Sequence, residues 1–265
     1  MIAPKSPGEH WRLDSAGGRV KYIPQCLILA ALLASPLGGQ TPSVIPLSSE
    51  PHHHLVLHNR YVNVYHVEVR PHDAVLLHRH DYDAISIMLD DAQVTVHAPG
   101  RPDVHQNLSA AQVRLQPRGY AHSTAIDGDK TYRNVTVELL LPQKGEANLC
   151  AAVMAGQPLH CPASQSEQNE STWTEQPQFD TDRSTVSLVR VQPHQEMALS
   201  RLISSSGNLL IIVIDAAEVN SGKGQSRGKT LQQGDFLGIA KGSPAQSIRN
   251  NTEKEARIVT FRLKG

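Results

Sequence analysis

The chain has no excess of charge of either sign: 25 Lys and Arg stand against 25 Asp and Glu. That balance removes the electrostatic reason to expect a nucleic acid partner. Aromatic residues are scarce, at 4 %, in a composition otherwise ordinary for a soluble globular protein. The apolar run Cys26–Ala34 is too short for a membrane span, which needs about 20 residues. It fits the apolar core of an export signal instead, with Arg19 and Lys21 ahead of it and small residues through Gly38 and Gly39 after it. A buried or anchoring helix is the alternative. Basic residues normally sit close to the start of such a signal, so the polar stretch 1–19 points to a start nearer Val20. Cys26 does not close a lipoprotein-type sequence, so no lipid anchor is expected. Residues 1–40 are therefore read as a signal peptide, and the mature protein as periplasmic or secreted with no membrane attachment.

Cysteine is nearly absent as well. Of three, cleavage leaves Cys150 and Cys161. In an oxidising compartment such a pair suggests a disulfide closing a short loop; two free, partly buried thiols are the other reading.

Histidine is what the chain has in plenty. There are 14, most of them between His52 and His122, and a local excess of imidazole fits metal binding. From Arg60 onward the sequence breaks into short β-branched runs separated by turns, with no long helix between them. The runs include Val62–Val69, Ala74–His80, Ala84–Leu89, Gln93–His97, Gln112–Gln116 and Arg133–Leu141. That pattern predicts an all-β sandwich or barrel. Residues 143–183 interrupt it. Glu146–Ala155 has the makings of a short helix, and Ala163–Asp182 is rich in Ser, Gln, Glu and Thr, which reads as linker.

Beyond the linker the pattern repeats. Val67–His72 is matched by Val189–His194, Ala84–Val94 by Leu209–Val219, and Arg133–Leu140 by Arg257–Lys264, in the same order and at nearly constant offset. Three collinear matches imply two copies of one β-fold. The expected organisation is a first barrel over 41–142, a linker over 143–183 and a second barrel over 184–265.

Within the first copy, His78 and His80 are two residues apart on a strand, which puts both imidazoles on one face. Farther on, Pro117-Arg-Gly119-Tyr-Ala-His122 sets a tight turn that delivers His122 from a neighbouring strand. Three imidazoles converging in this way make a partial coordination shell for a divalent metal, with positions left for water or a ligand. In the second copy the same places hold Ser200, Leu202 and Ala245, so that barrel is expected to carry no metal. His52-His53-His54 reads as exposed tail. His58, His66, His72, His97 and His105 lack partners at motif spacing and read as surface or core residues. Tyr82 and Tyr120 flank the site, to touch a ligand or to pack.

These two motifs resemble those of the cupin superfamily, which run as His-x-His with a Glu four or five residues on, then Pro-x-Gly-x-x-His. The second is present in full and the first in its histidine pair. The resemblance implies two tandem cupin-type jelly-roll barrels, with a divalent ion among Fe, Mn, Ni, Cu and Zn on His78, His80 and His122. The chain departs from the pattern at the Glu, which falls at Ala84 or Ile85; Asp83 lies one position short, so Asp83 or water is left for a fourth place. The Gly that usually opens the first motif is His72, and the Asn that usually ends the second is Ile126. Some cupin dioxygenases hold iron on three histidines, so the missing Glu does not remove catalysis. The expected function is an exported protein with one mononuclear three-histidine site, dioxygenase-like on a small molecule; the alternatives are non-catalytic binding of metal or a small ligand, and a structural barrel pair with vestigial histidines. The resemblance also makes a homodimer plausible, through an edge strand or barrel packing. Mass spectrometry of the exported protein is expected to find a mature form that lacks Cys26; a form retaining it would remove the signal-peptide reading.

Overall fold

The computed structural model describes residues 43–145, 172–203, 207–221, 229–243 and 246–264. The signal segment, Cys150, Cys161 and the Glu146–Ala155 stretch lie outside the described residues. The first half holds β1 (Ile45–Pro46), β2 (His53–His58), β3 (Val62–Val69), β4 (Ala74–Arg79), β5 (Asp83–Met88), β6 (Ala92–His97), β7 (Val104–Leu108), β8 (Val113–Gln116), β9 (Ala121–Ile126) and β10 (Tyr132–Leu139). The second half holds β11 (Trp173–Asp180), β12 (Ser184–Val191), β13 (Glu196–Ala198), β14 (Gly207–Val213), β15 (Ala217–Ser221), β16 (Lys229–Leu231), β17 (Phe236–Ile239), β18 (Gln246–Arg249) and β19 (Ala256–Lys264).

Each half folds into two facing sheets in jelly-roll order. The first has β2-β3-β10-β5-β8 opposite β1-β4-β9-β6-β7; the second has β11-β12-β19-β14-β17 opposite β13-β18-β15-β16. The strand order of one half maps onto the other, with β12, β19 and β14 in the places of β3, β10 and β5. The repeated sequence blocks are therefore structural equivalents. So are two unusual backbone positions: His72 and His194 have φ of 62° and 58°, the left-handed region that favours glycine. His72 thus keeps the conformation of the glycine it stands in for.

Alternation decides what each strand buries. On β3, Val62 and Val64 face one way, while Val67 and Val69 face the barrel interior. On β10, Val135, Val137 and Leu139 share the face of Val62, and Asn134 and Thr136 turn inward. The outward faces of β3, β5, β8 and β10 are largely covered, with Glu68 at one end of β3 exposed. They pack against Phe179, Val186, Leu188, Leu210, Ile212, Val259 and Phe261 from the second half in one shared core. Polar contacts fix the same boundary: Arg133 donates to Gln233 at 2.8 Å, Gln233 Nε2 to the Leu89 carbonyl at 2.8 Å, and Arg257 to the Ala110 carbonyl at 3.2 Å.

One segment departs from the sequence reading. Residues 173–180, within the stretch read as linker, form β11 at the edge of the second half's larger sheet. Only Trp173 and Phe179 supply large buried apolar side chains there, and a bulge between Pro177 and Phe179 breaks the alternation. Proline is tolerated because an edge strand need not donate on both sides. Little periodicity is left for the sequence to show.

The shared core predicts cooperative unfolding. Phe261 is fully buried in it, and Phe261→Ala is expected to cost about 3–5 kcal/mol. In urea, far-UV circular dichroism and tryptophan fluorescence should move together for both proteins; two separate transitions would show that the halves do not stabilise each other.

Candidate metal centre

His78 and His122 are placed by the β4–β9 ladder, in which they are direct cross-strand partners. His80 lies just past the end of β4, yet its backbone continues the pairing: its N–H donates to the Tyr120 carbonyl at 3.0 Å, and its carbonyl accepts Gly119 N–H at 2.8 Å. Gly119 makes this possible with a φ of 84°, closing the turn in which Tyr120 N–H bonds to the Pro117 carbonyl at 3.1 Å. Asp83 Oδ1 accepts the Arg118 N–H of the same turn at 2.9 Å. Asp83 therefore braces the motif and stands outside the histidine group.

The three imidazoles meet inside the barrel. Ring centroids are 4.6 Å apart for His78 and His122, 5.1 Å for His78 and His80, and 5.2 Å for His80 and His122. Each ring offers a nitrogen, and these atoms lie within 4.8 Å of one another. All three residues are buried. Four of their nitrogens, His78 Nε2, His80 Nδ1 and Nε2, and His122 Nδ1, are buried without a hydrogen-bond partner. Leaving such a group unsatisfied costs about 1–3 kcal/mol each, so the cluster is expensive unless something else takes its lone pairs. Burial, helped by the nearby His53, pushes His78 down to about 4. Burial and the neighbouring rings hold His80 and His122 well below the ordinary histidine value. Near pH 7 all three are neutral, the form that coordinates a metal. Buried, neutral and unpartnered, this donor set fits a divalent ion.

A second layer orients the first. His78 Nδ1–H donates to the Leu76 carbonyl at 2.8 Å, which leaves Nε2 as the free lone pair. The Leu76 N–H donates in turn to Glu50 Oε1 at 3.1 Å. Glu50 also accepts the His52 N–H at 2.9 Å and His53 Nδ1–H at 2.6 Å. Burial alone would raise the Glu50 carboxyl, but the hydrogen bonds from His53, Leu76 and His52 outweigh it and hold it below the usual value. His53 lies 4.9 Å ring to ring from His78 and lines the same cavity.

The tail reading of His52–His54 is corrected here. His54 is exposed, but His53 opens β2 with its side chain only 6 % exposed. Glu50, three residues before His53, was the available signal. Glu138 pairs with Ala84, where the cupin Glu would fall, yet its carboxylate is taken by Asn63 at 2.7 Å and Tyr65 at 3.2 Å. Tyr120 stacks on His122 at 4.8 Å, while Tyr82 is exposed. His66, His97 and His105 serve elsewhere, on Gly234, Asp103 and Thr95. The cavity itself is about 10 Å³, about the room one water needs.

No protein-family model matches the sequence, and no curated protein sequence does. Solved structures do match. AerE from Microcystis aeruginosa superposes with a TM-score of 0.53 over 82 % of this chain and 99 % of its own, at 7 % identity. A salicylate 1,2-dioxygenase from Pseudaminobacter salicylatoxidans gives 0.54 over 82 % and 78 %, at 12 % identity. An oxalate decarboxylase from Lactobacillus farciminis gives 0.52 over 85 % and 87 %, also at 12 %. The chain has the cupin fold. Within it, the site occupies the interior formed by the first half's two sheets.

The second half shows what that interior looks like without ligands. After β13 the chain turns through Leu199–Arg201, and Leu199 and Leu202 are buried where the first half has its histidines. Met197 pairs with Ile248 as Val75 pairs with Thr124. This register makes Gln246, rather than Ala245, the counterpart of His122. Among the described residues, His78, His80 and His122 form the one group with metal-ligand geometry.

Because Glu50 fixes His78 through Leu76, Glu50→Gln is expected to weaken metal affinity about 10–100-fold, the range seen for second-layer partners. Competition against a chelator checks this. Affinity equal to wild type would show that the Glu50 layer does not act on the ligands.

Proposed function

We propose that the mature protein is an exported cupin in which His78, His80 and His122 hold one divalent metal ion, leaving the remaining coordination positions to a small molecule. The observation that carries this is the set of four buried imidazole nitrogens without partners. Imidazole donors suit Fe, Ni, Cu and Zn. A bound ion would supply Lewis acidity or, with iron, redox chemistry toward O₂. The chain's own part is to fix the donors. The β4–β9 ladder sets the His78–His122 separation, Glu50 sets the His78 tautomer through Leu76, and the buried lining of Val67, Val75 and Thr124 limits access of water. A dioxygenase-like reaction is the enzymatic form of the proposal, supported by the dioxygenase among the structural neighbours. The small cavity supports the other form, capture of metal or of a small ligand without turnover. Export is supported by the Cys26–Ala34 run and the basic residues before it.

Metal content of the mature protein, beside a His78→Ala/His122→Ala double variant, tests the proposal. Near-stoichiometric metal is expected in the wild type and none in the variant. Iron in the wild type leads to an oxygen-consumption screen, which separates catalysis from capture. No metal in either, after loading with Fe(II), Mn, Ni, Cu and Zn, would leave a structural barrel pair.

A further inference from the structure

The three ligand rings come from one wall of the first barrel. His78 and His122 belong to the sheet that contains β4 and β9, and His80 follows directly after β4. A fourth imidazole faces them from the other wall: His53 opens β2, at the edge of the opposite sheet. It lines the same cavity as the three. Its ring centroid is 4.9 Å from that of His78, within the 4.6–5.2 Å that separates the three from one another.

The two nitrogens of His53 have different surroundings. Nδ1 meets Glu50 Oε2 at 2.6 Å and carries the hydrogen there, which leaves the lone pair on Nε2. A carboxylate behind an imidazole is the arrangement that orients and strengthens a metal-binding histidine. Glu50 also reaches His78 through the Leu76 N–H, so one carboxylate supports a ring on each wall. Among the described residues no acidic side chain lines the cavity, and Glu138 is held by Asn63 and Tyr65. In the second half β11 stands in the place of β2, and Glu175 pairs with Val189 as His53 pairs with Val67. Glu175 is ion-paired with Arg262 at 2.6 Å. The half that lacks the three ligands lacks the fourth imidazole as well.

We infer that His53 is a fourth imidazole ligand of this centre, supplied by the facing sheet in place of the motif Glu, and that the ion is enclosed and not offered to a substrate. This rests on the metal reading above and chooses its capture form. Four protein donors close a site, whereas a catalytic site keeps a position open. A cavity of about 10 Å³, about the room one water needs, leaves no space for a substrate beside an ion. His53 stands outside the group whose nitrogens all lie within 4.8 Å of one another, so ligation requires its ring to move inward. β2 is the element that can give: it is an edge strand, and its pairing is irregular between Leu55 and Leu57.

The test uses the mature protein with 15N-labelled histidine, its metal content measured first, loaded with one equivalent of 113Cd(II), a spin-active stand-in for Zn(II). NMR is expected to show four imidazole nitrogens coupled to cadmium. His53→Ala should leave three and weaken Zn(II) binding by at least about tenfold in chelator competition, no less than loss of an outer-layer partner does. His53→Gln, whose amide still donates to Glu50, takes its place where the alanine variant does not fold. Three coupled nitrogens in the wild type, a fourth that survives His53→Ala, or unchanged Zn(II) affinity in a folded variant would overturn the inference. A wild type that holds no metal and takes up none on loading would be a failure of the metal reading, seen before any spectrum is recorded.

Discussion

The cross-strand pairing of His78 with His122 is the constraint on which the site depends. A direct antiparallel pair holds two Cβ atoms about 4.5–5.5 Å apart, and both residues here are buried inside the barrel. Once they are there, protonation is disfavoured by burial, and four of the ring nitrogens have no hydrogen-bond partner. His80 joins them because the Gly119 turn carries the ladder one step past the strand end. Three neutral imidazoles in that position either impose an unrelieved polar cost or receive a ligand common to all of them. The rest of the first barrel, its polar lining included, is built around that choice.

The second half shows what the same fold does when the choice is made the other way. Its interior is filled by Trp173, Met197, Leu199, Leu202, Leu209 and Ile211, side chains that stabilise by leaving water and ask for no partner. The first half's interior cluster is smaller because histidines and polar residues occupy part of the space. Stability can be borrowed across the boundary: the sheet that backs the histidines is also one wall of the shared core. A polar interior with unpartnered groups in one barrel stands beside an apolar interior in the other, and the two share the core packed between them.

Much of this was legible in the residues. Short alternating runs gave the all-β class, and the repeated blocks gave the duplication, because both are periodic signals that survive without tertiary information. His78, His80 and His122 were legible because spacing on strands fixes side-chain direction. What was not legible lies where local pattern is weak. Edge strand β11 has two large apolar anchors and a proline at a bulge, so its alternation is broken. His53 sits in a run of three histidines whose periodicity says nothing about which ring is buried; only the barrel decides that β2 turns it toward His78. Gln246 replaces Ala245 as the counterpart of His122 through a one-residue change between the copies, which an ungapped match cannot show.

Glu50 and Glu138 together explain how the barrel manages without the carboxylate that its motif lacks. Glu138 stands beside Ala84 on the neighbouring strand, but its oxygens are engaged by Asn63 and Tyr65, and burial raises its pKa. It is poorly placed to serve as an anionic ligand. Glu50 is the reverse: three hydrogen bonds hold it ionised one layer behind His78. Negative charge is thus kept near the histidines but withheld from direct contact with an ion. A divalent ion on three neutral imidazoles retains most of its charge and more open positions than a four-ligand site would leave. Loss of the motif carboxylate and retention of one behind His78 are two separate features with one consequence: an ion held by the three histidines would have no carboxylate of this barrel among its ligands.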